Sequence, residues 1–228
     1  MKFALIGKNI QHSRSPELYQ QIIGEDVEYD LIDVEARSKL PTIEELKEKY
    51  RGVNITSPYK THYLKDVVFE SPDEYKDSIN TICFEKNKTV GTNTDAVAIE
   101  LELMGIKKSF GDLFFVVLGD GVMSKLTVKV LIDKKMKYVV LSRKMTPNFG
   151  KLDLTKFHEK ASQVVIINTC SRDYVFSGSL HSSFIFWDYN YSFIPHQNTL
   201  PSLVKFYHDG QRMLELQAIA AAKFWKAI

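Results

Sequence analysis

Residues 52–60 read GVNITSPYK. An apolar run, Val53 and Ile55, stops at Thr56, Ser57 and Pro58, and Lys60 follows. That is the pattern of a buried strand ending in a turn. A lysine among hydroxyls at such a place can move a proton. Interconversion of a carbonyl and a secondary alcohol by hydride transfer needs one proton delivered to or taken from the oxygen, by a group within about 3 Å. Further along, GTNTD ends in Asp95, a carboxylate able to orient an ammonium group and to bond a substrate hydroxyl. Lys60 as donor and Asp95 as orienter would act as one coupled unit.

A second chemistry begins at LGDGVMS, residues 118–124. Gly119 and Gly121 follow an apolar strand and open a helix. Small residues there let backbone amides approach a pyrophosphate, and a helix N-terminus favours the anion. The third glycine of that fingerprint is absent, with Val122 and Ser124 near its place, and Asp120 would oppose phosphate unless its side chain turns outward. In such loops a ribose-binding acid is expected about 20 residues on. Here that place reads Ser142, Arg143, Lys144, a hydroxyl and two cations. Arginine grips phosphate bidentately and stacks on adenine, so the position favours NADP over NAD.

These residues need strands and helices to place them. Strands are expected at Lys2–Gly7, Val27–Val34 and Gly52–Thr56. Helices are expected at Pro16–Ile23, with Ser15 at the N-cap, and at Thr42–Tyr50, with Thr42 and Glu45 as a capping box. A short helix should follow Pro58, and a hairpin should turn at Asn87. A second unit begins near Ala96 with a helix to Met104. Apolar runs at Leu113–Leu118, Tyr138–Leu141, Val164–Ile167 and Phe184–Trp187 then read as parallel strands. An Ala-rich helix, Arg212–Ile228, closes the sequence. Strands alternating with helices predict an α/β layer fold, with a βαβ pattern of dinucleotide-binding type in the second part.

Composition narrows the function further. The chain of 228 residues is 44% hydrophobic, enough for packed cores in one large or two small domains. A net charge of +2 gives no general basic field for nucleic acid. Cys83 and Cys170 sit in apolar runs without a metal or redox spacing, and the six histidines are scattered. That predicts reduced thiols, no metal and a cytoplasmic protein. No run is apolar enough to span a bilayer, and MKFALIG reads as a first strand and not as a signal peptide.

Taken in order, HSRSP (12–16), GVNITSPYK (52–60), SINT (78–81), GTNTD (91–95), LGDGVMS (118–124), SRK (142–144) and GQRMLELQA (210–218) resemble the shikimate dehydrogenase family. The resemblance covers most of the chain. It implies NADPH-dependent, reversible reduction of 3-dehydroshikimate to shikimate in aromatic amino-acid biosynthesis. It also implies a substrate domain (1–95 with 206–228) and a Rossmann-like cofactor domain (96–205), the last helix returning to the first domain. By the same resemblance Ser13 and Ser15 hold the substrate carboxylate, and Thr56, Asn80, Gln217 and Tyr191 bind the substrate. Lys60 and Asp95 are catalytic. Gly119, Gly121, Val122, Ser142, Arg143, Lys144 and Thr169 hold the dinucleotide, with Gly210 and Met213 at the nicotinamide edge. Uncharged hydroxyl and amide groups suit a small polyhydroxy acid, since each buried group left unpaired costs about 1–3 kcal/mol. The expected partner is this small molecule, with no nucleic acid and no membrane, and the protein a monomer or homodimer. The cofactor motifs depart from the family pattern. Val122 stands for a glycine, NTCSRD (168–173) for an NATP-like segment, and the cofactor domain is short. Quinate as substrate, NAD as cofactor, and a shikimate-binding relative with impaired cofactor binding are the alternatives.

Overall fold

The structure is a computed structural model and describes residues 1–70 and 75–228. The chain divides into two compact units, Met1–Ala98 with Glu215–Ile228, and Ile99–Leu214.

The first unit is built on a six-stranded sheet in the order β2-β1-β3-β5-β6-β4. Its strands are β1 (Lys2–Gly7), β2 (Glu28–Asp33), β3 (Gly52–Ile55), β4 (Val68–Phe69), β5 (Thr81–Phe84) and β6 (Thr89–Thr92). β1 runs parallel to β2 and β3, while β5 is antiparallel to β3 and forms the expected hairpin with β6. The central strand KFALIG is apolar almost throughout because both its faces are covered. α1 (Ser15–Ile23) and α2 (Ile43–Lys49) complete the chain up to residue 70.

Thr42 and Glu45 do form a capping box at α2. Ser15 is not the N-cap of α1. Arg14 is, without a side-chain cap bond, and the Ser15 N–H donates instead to the Ser13 hydroxyl at 3.3 Å. After the cis peptide Ser57–Pro58 the chain makes turns and no helix. Tyr59, His62 and Asp66 each donate their N–H to the carbonyl three residues back, which satisfies the backbone without a helical repeat.

The last helix, α6 (Gln211–Phe224), carries Trp225 into the first unit's core. Its indole stacks on Phe3 with ring centroids 4.4 Å apart, and its Nε1–H donates to the Ile82 carbonyl at 2.8 Å. α6 stops short of the expected Ile228, and Lys226 takes a left-handed conformation. Gly52 makes room for the ring, since a β-carbon there would land on the indole nitrogen and lie 2.7 Å from the Ile82 oxygen.

The chain passes to the second unit within α3 (Thr94–Phe110). This helix outruns the expected end at Met104. Gly105 does not stop it; Gly111 does, with φ +79° and its N–H on the Lys107 carbonyl. The second unit holds a wholly parallel sheet, order β11-β10-β9-β7-β8. Its strands are β7 (Leu113–Leu118), β8 (Lys137–Leu141), β9 (Gln163–Asn168), β10 (Ile185–Asp188) and β11 (Phe206–His208), with helices α4 (Val122–Asp133) and α5 (Ile194–Thr199) between them. Counted from β7 this is the doubly wound order 2-1-3-4-5, whose switch point lies between β7 and β9.

Residues 142–162 supply no strand beyond β8, only two 3-10 turns. Their Phe149, Leu152, Leu154 and Phe157 fill the core instead. The strand ends are tied by a buried cluster. The His196 Nδ1–H donates to Asp188 Oδ2 at 2.5 Å while its Nε2 accepts the Phe176 N–H at 2.8 Å, which fixes the tautomer. Asp188 Oδ1 in turn accepts from the Asn168 amide at 2.9 Å. Among the described residues no helix is long and apolar enough to cross a membrane.

Gly52→Ala tests the docking of the chain's last turn. The added methyl must displace Trp225 or the β3–β5 ladder, so we expect a loss of about 1–3 kcal/mol in urea unfolding with a red shift of tryptophan emission. An unchanged midpoint would show that the ring has room to move.

Candidate active site

The first unit gathers the proposed proton-transfer pair. Lys60 follows the turn at Pro58, and its carbonyl accepts the Ile79 N–H at 2.8 Å, which pins the lysine backbone to the segment leading into β5. Asp95 lies in the first turn of α3, where the helix dipole favours a carboxylate. The Lys60 Nζ stands 2.5 Å from Asp95 Oδ2, with side chains only 15% and 10% exposed. An ammonium so placed is oriented by the carboxylate and can still donate a proton outward.

Asn80 positions Asp95. Its Oδ1 accepts the Thr94 N–H at 2.7 Å and the Thr81 hydroxyl at 3.1 Å, and its amide donates to the Thr94 hydroxyl at 3.0 Å. Asn80 therefore caps α3 from the bend just before β5. Asn93 reinforces the junction by donating to the Ser78 carbonyl and hydroxyl. The segments SINT and GTNTD are thus interlocked by side chains of both.

Asn54, to which the sequence assigned no role, is the hub of this unit. Its Oδ1 accepts from the hydroxyls of Tyr19 and Tyr29, each at 2.7 Å, and its amide donates to the Asn80 carbonyl and the Thr81 hydroxyl. Burial raises both tyrosine pKa values, so both remain donors, although a hydrogen bond from Ser15 opposes the shift at Tyr29. The Ser13 hydroxyl donates to that of Ser15 at 3.1 Å. One chain of hydrogen bonds therefore runs from Ser13 and Ser15 through Tyr29, Asn54 and Thr81 to Asn80, beside the Lys60–Asp95 pair. Thr56 comes two residues after Asn54 and is half-buried, as is Gln217 on α6. An asparagine inside the run GVNI reads as one polar interruption of a strand, and only the fold reveals its partners.

The second unit gathers the other set at the carboxyl ends of its strands. Gly119 has φ +115°, and a β-carbon there would lie 2.7 Å from Thr169 Oγ. Thr169 itself donates to the Leu118 carbonyl at 2.7 Å. Gly119 and Thr169 thus meet at the switch point between β7 and β9. Gly121 is the N-cap of α4, with nothing within 4 Å of where a β-carbon would stand. Ser124, and not Val122, takes the inward place, its hydroxyl donating to the Gly119 carbonyl at 2.8 Å. Val122 is exposed at the first turn of α4.

Ser142 is buried at the end of β8, and Arg143 and Lys144 are exposed beyond it. Lys144 Nζ stands 3.0 Å from Asp120 Oδ2. Cys170 is half-buried beside Gly119, its thiol pushed up to about 11 by burial, with Arg143 lowering it and Asp188 and Asp120 raising it. Gly210 packs on the backbone of Tyr189 and Tyr191, so the turn after β10 meets the start of α6, where Met213 is buried. Arg172 donates to the Tyr191 carbonyl. Open space at a helix N-terminus, a glycine that only a left-handed backbone fits and two cations at the next strand end suit a phosphorylated dinucleotide. Among the described residues no three His, Cys, Asp or Glu side chains come together as a metal site.

A doubly wound parallel sheet with a glycine turn at its switch point, joined to an α/β unit bearing a lysine–aspartate pair, defines a two-unit dehydrogenase-like protein. Residues 5–82 match the shikimate dehydrogenase substrate binding domain. The chain is 32% identical over 179 residues to a shikimate dehydrogenase (NADP(+)) of Clostridium beijerinckii, covering 73% of this chain and 66% of that protein. It is 30% identical over 189 residues to a shikimate dehydrogenase (NADP(+)) of Pelagibacter ubique, covering 74% of this chain and 68% of that one. A crystal structure of Thermus thermophilus shikimate 5-dehydrogenase in complex with NADP(H) and shikimate shares the fold, with a TM-score of 0.73 at 20% identity, over 100% of this chain and 94% of that one. This chain belongs to the shikimate dehydrogenase family. Its matches span 53% to 66% of the length of the first curated relatives.

Asn80→Ala removes the α3 cap and leaves the Thr94 N–H and the Thr81 hydroxyl short of a partner. We expect a stability loss of about 1–3 kcal/mol in chemical denaturation. An unchanged unfolding midpoint would remove Asn80 from the support of Asp95.

Proposed function

We propose that this chain is an NADP-dependent shikimate dehydrogenase of the cytoplasm, which interconverts 3-dehydroshikimate and shikimate in aromatic amino-acid biosynthesis. The observation that carries the reading is the 2.5 Å Lys60–Asp95 pair, mostly withdrawn from water and fixed at both backbones. In this reading the first unit binds the hydroxy acid and the second the dinucleotide, which supplies the hydride when bound. Lys60 donates its proton to the carbonyl oxygen as that oxygen becomes a hydroxyl, and takes one back in the oxidation. Asp95 keeps the ammonium aimed and accepts a bond from a ring hydroxyl. Ser13 and Ser15 hold the carboxylate through hydroxyls, Thr56, Asn80, Gln217 and Tyr191 meet the other oxygens, and a ring lacking one hydroxyl would leave a polar partner unpaired.

Gly119, Gly121, Val122 and Thr169 border the pyrophosphate. Ser142, Arg143 and Lys144 meet the 2′-phosphate, and Gly210 and Met213 border the nicotinamide. Val122 in a glycine's place favours a second reading, a shikimate binder with impaired dinucleotide affinity. Initial rates of shikimate oxidation with NADP⁺ and NAD⁺, set beside quinate oxidation and direct dinucleotide titration, separate these readings. Shikimate binding without dinucleotide binding at millimolar concentration would leave only the second.

Two substitutions probe the assignments. Lys60→Ala should cut turnover by at least ~10²-fold, as expected for loss of an acid/base group, with a modest change in shikimate affinity. An undiminished turnover number would take Lys60 out of the proton transfer. Arg143→Ala should raise KM for NADPH more than for NADH. Equal changes would mean that Arg143 does not read the 2′-phosphate.

A further inference from the structure

The glycine loop carries a charge whose sign is wrong for an anion cradle. Asp120 stands between Gly119 and Gly121, and its carboxylate turns towards the end of β8, where it holds Lys144 Nζ at 3.0 Å. Lys144 is one of only two cations that follow β8 in the run SRK. With Asp120 counted, the three side chains Asp120, Arg143 and Lys144 sum to one positive charge where Arg143 and Lys144 alone would give two. A phosphate monoester carries about −1.5 to −2 at neutral pH. The loop therefore neutralises half of the charge available to it.

Both partners of this ion pair are well exposed, with side chains 47% and 84% accessible. Such an exposed pair is weak, so a phosphate can take Lys144 from Asp120. The carboxylate then stays nearby and repels the phosphate it has yielded to. The charges of Arg143 and Asp120 are both felt at the Cys170 thiol beside Gly119, which places acid and cation around one spot at the strand ends. A dinucleotide without the 2′-phosphate meets no such opposition at Lys144. Repulsion of the pyrophosphate would act on both dinucleotides alike and cancel in their ratio.

We propose that Asp120 is a specificity-determining residue: by occupying Lys144 it weakens recognition of the 2′-phosphate and narrows the preference for NADP over NAD. This rests on the NADP reading above and adds a residue that works against it.

The test is a double-mutant cycle of Asp120→Asn and Lys144→Ala in the full chain, with NADPH and NADH titrated directly by fluorescence. Asp120→Asn should tighten NADPH by about 3- to 5-fold, the upper range of one exposed charge contact, and change NADH by less than about 2-fold. The gain should vanish when Lys144 is also alanine. An equal gain for both dinucleotides would mean that Asp120 opposes only the pyrophosphate, and would overturn the proposal. So would unchanged NADPH affinity, a gain that survives without Lys144, or weaker NADH binding, which would make Asp120 an acceptor for the ribose hydroxyls. In each of those cases wild-type NADPH binding leaves the cofactor reading standing. If neither protein binds either dinucleotide while both bind shikimate, the cofactor reading fails and takes this inference with it.

Discussion

An ammonium and a carboxylate that have both lost most of their water must keep each other, because either one alone would be costly to leave in place. Lys60 and Asp95 are in that position. The rest of the first unit can be understood as the means of bringing them to one spot. Lys60 is fixed through its own carbonyl by Ile79, and Asp95 is fixed one residue away by the Asn80 cap on Thr94. Ile79 and Asn80 are adjacent, so one short segment sets both charges. Asn54 then ties that segment to Tyr19 on α1 and Tyr29 on β2. A polar network inside a protein specifies a geometry only when all its members are satisfied. Here the partners are amides and hydroxyls that leave the net charge of the site untouched.

The second unit answers a different demand, an opening at the ends of parallel strands. The order of its sheet makes that opening between β7 and β9. The buried His196–Asp188–Asn168 cluster holds the neighbouring strand ends in register from below. The His196 ring, with a donor on one side and an acceptor on the other, does this as a neutral group. Between β8 and β9 the aromatic and aliphatic side chains of residues 149–157 pack into the core of the second unit.

Much of this was legible from residue order. The strands with continuous apolar runs, the capping box at Thr42 and the glycine turn at 119 all follow local rules that the fold obeys. Lys60 and Asp95 drew notice because their types fit a proton transfer, and the resemblance of the surrounding blocks joined them. Other features depend on partners distant in the chain. The helix expected to end at Met104 runs on through Gly105, because the backbone turns left-handed only at Gly111. Ser15 looked like a cap because its own neighbours allow it, yet Ser13 supplies the acceptor. Strands as short as β4 and β11 have too few residues to show a period. Asn54 draws its meaning from two tyrosines on other elements.

The first unit is assembled from both ends of the polypeptide, with Trp225 set between Phe3 and Gly52. This sets an order for events on the ribosome. The second unit is one uninterrupted stretch and can close as soon as it has emerged. The first unit, though made earlier, waits with a gap in its interior until the final helix arrives. A nascent chain of this kind exposes the apolar seat of that ring until residue 225 has emerged, an interval in which unfilled hydrophobic surface invites misassociation. The placing of one indole thus sets how long that seat stays open.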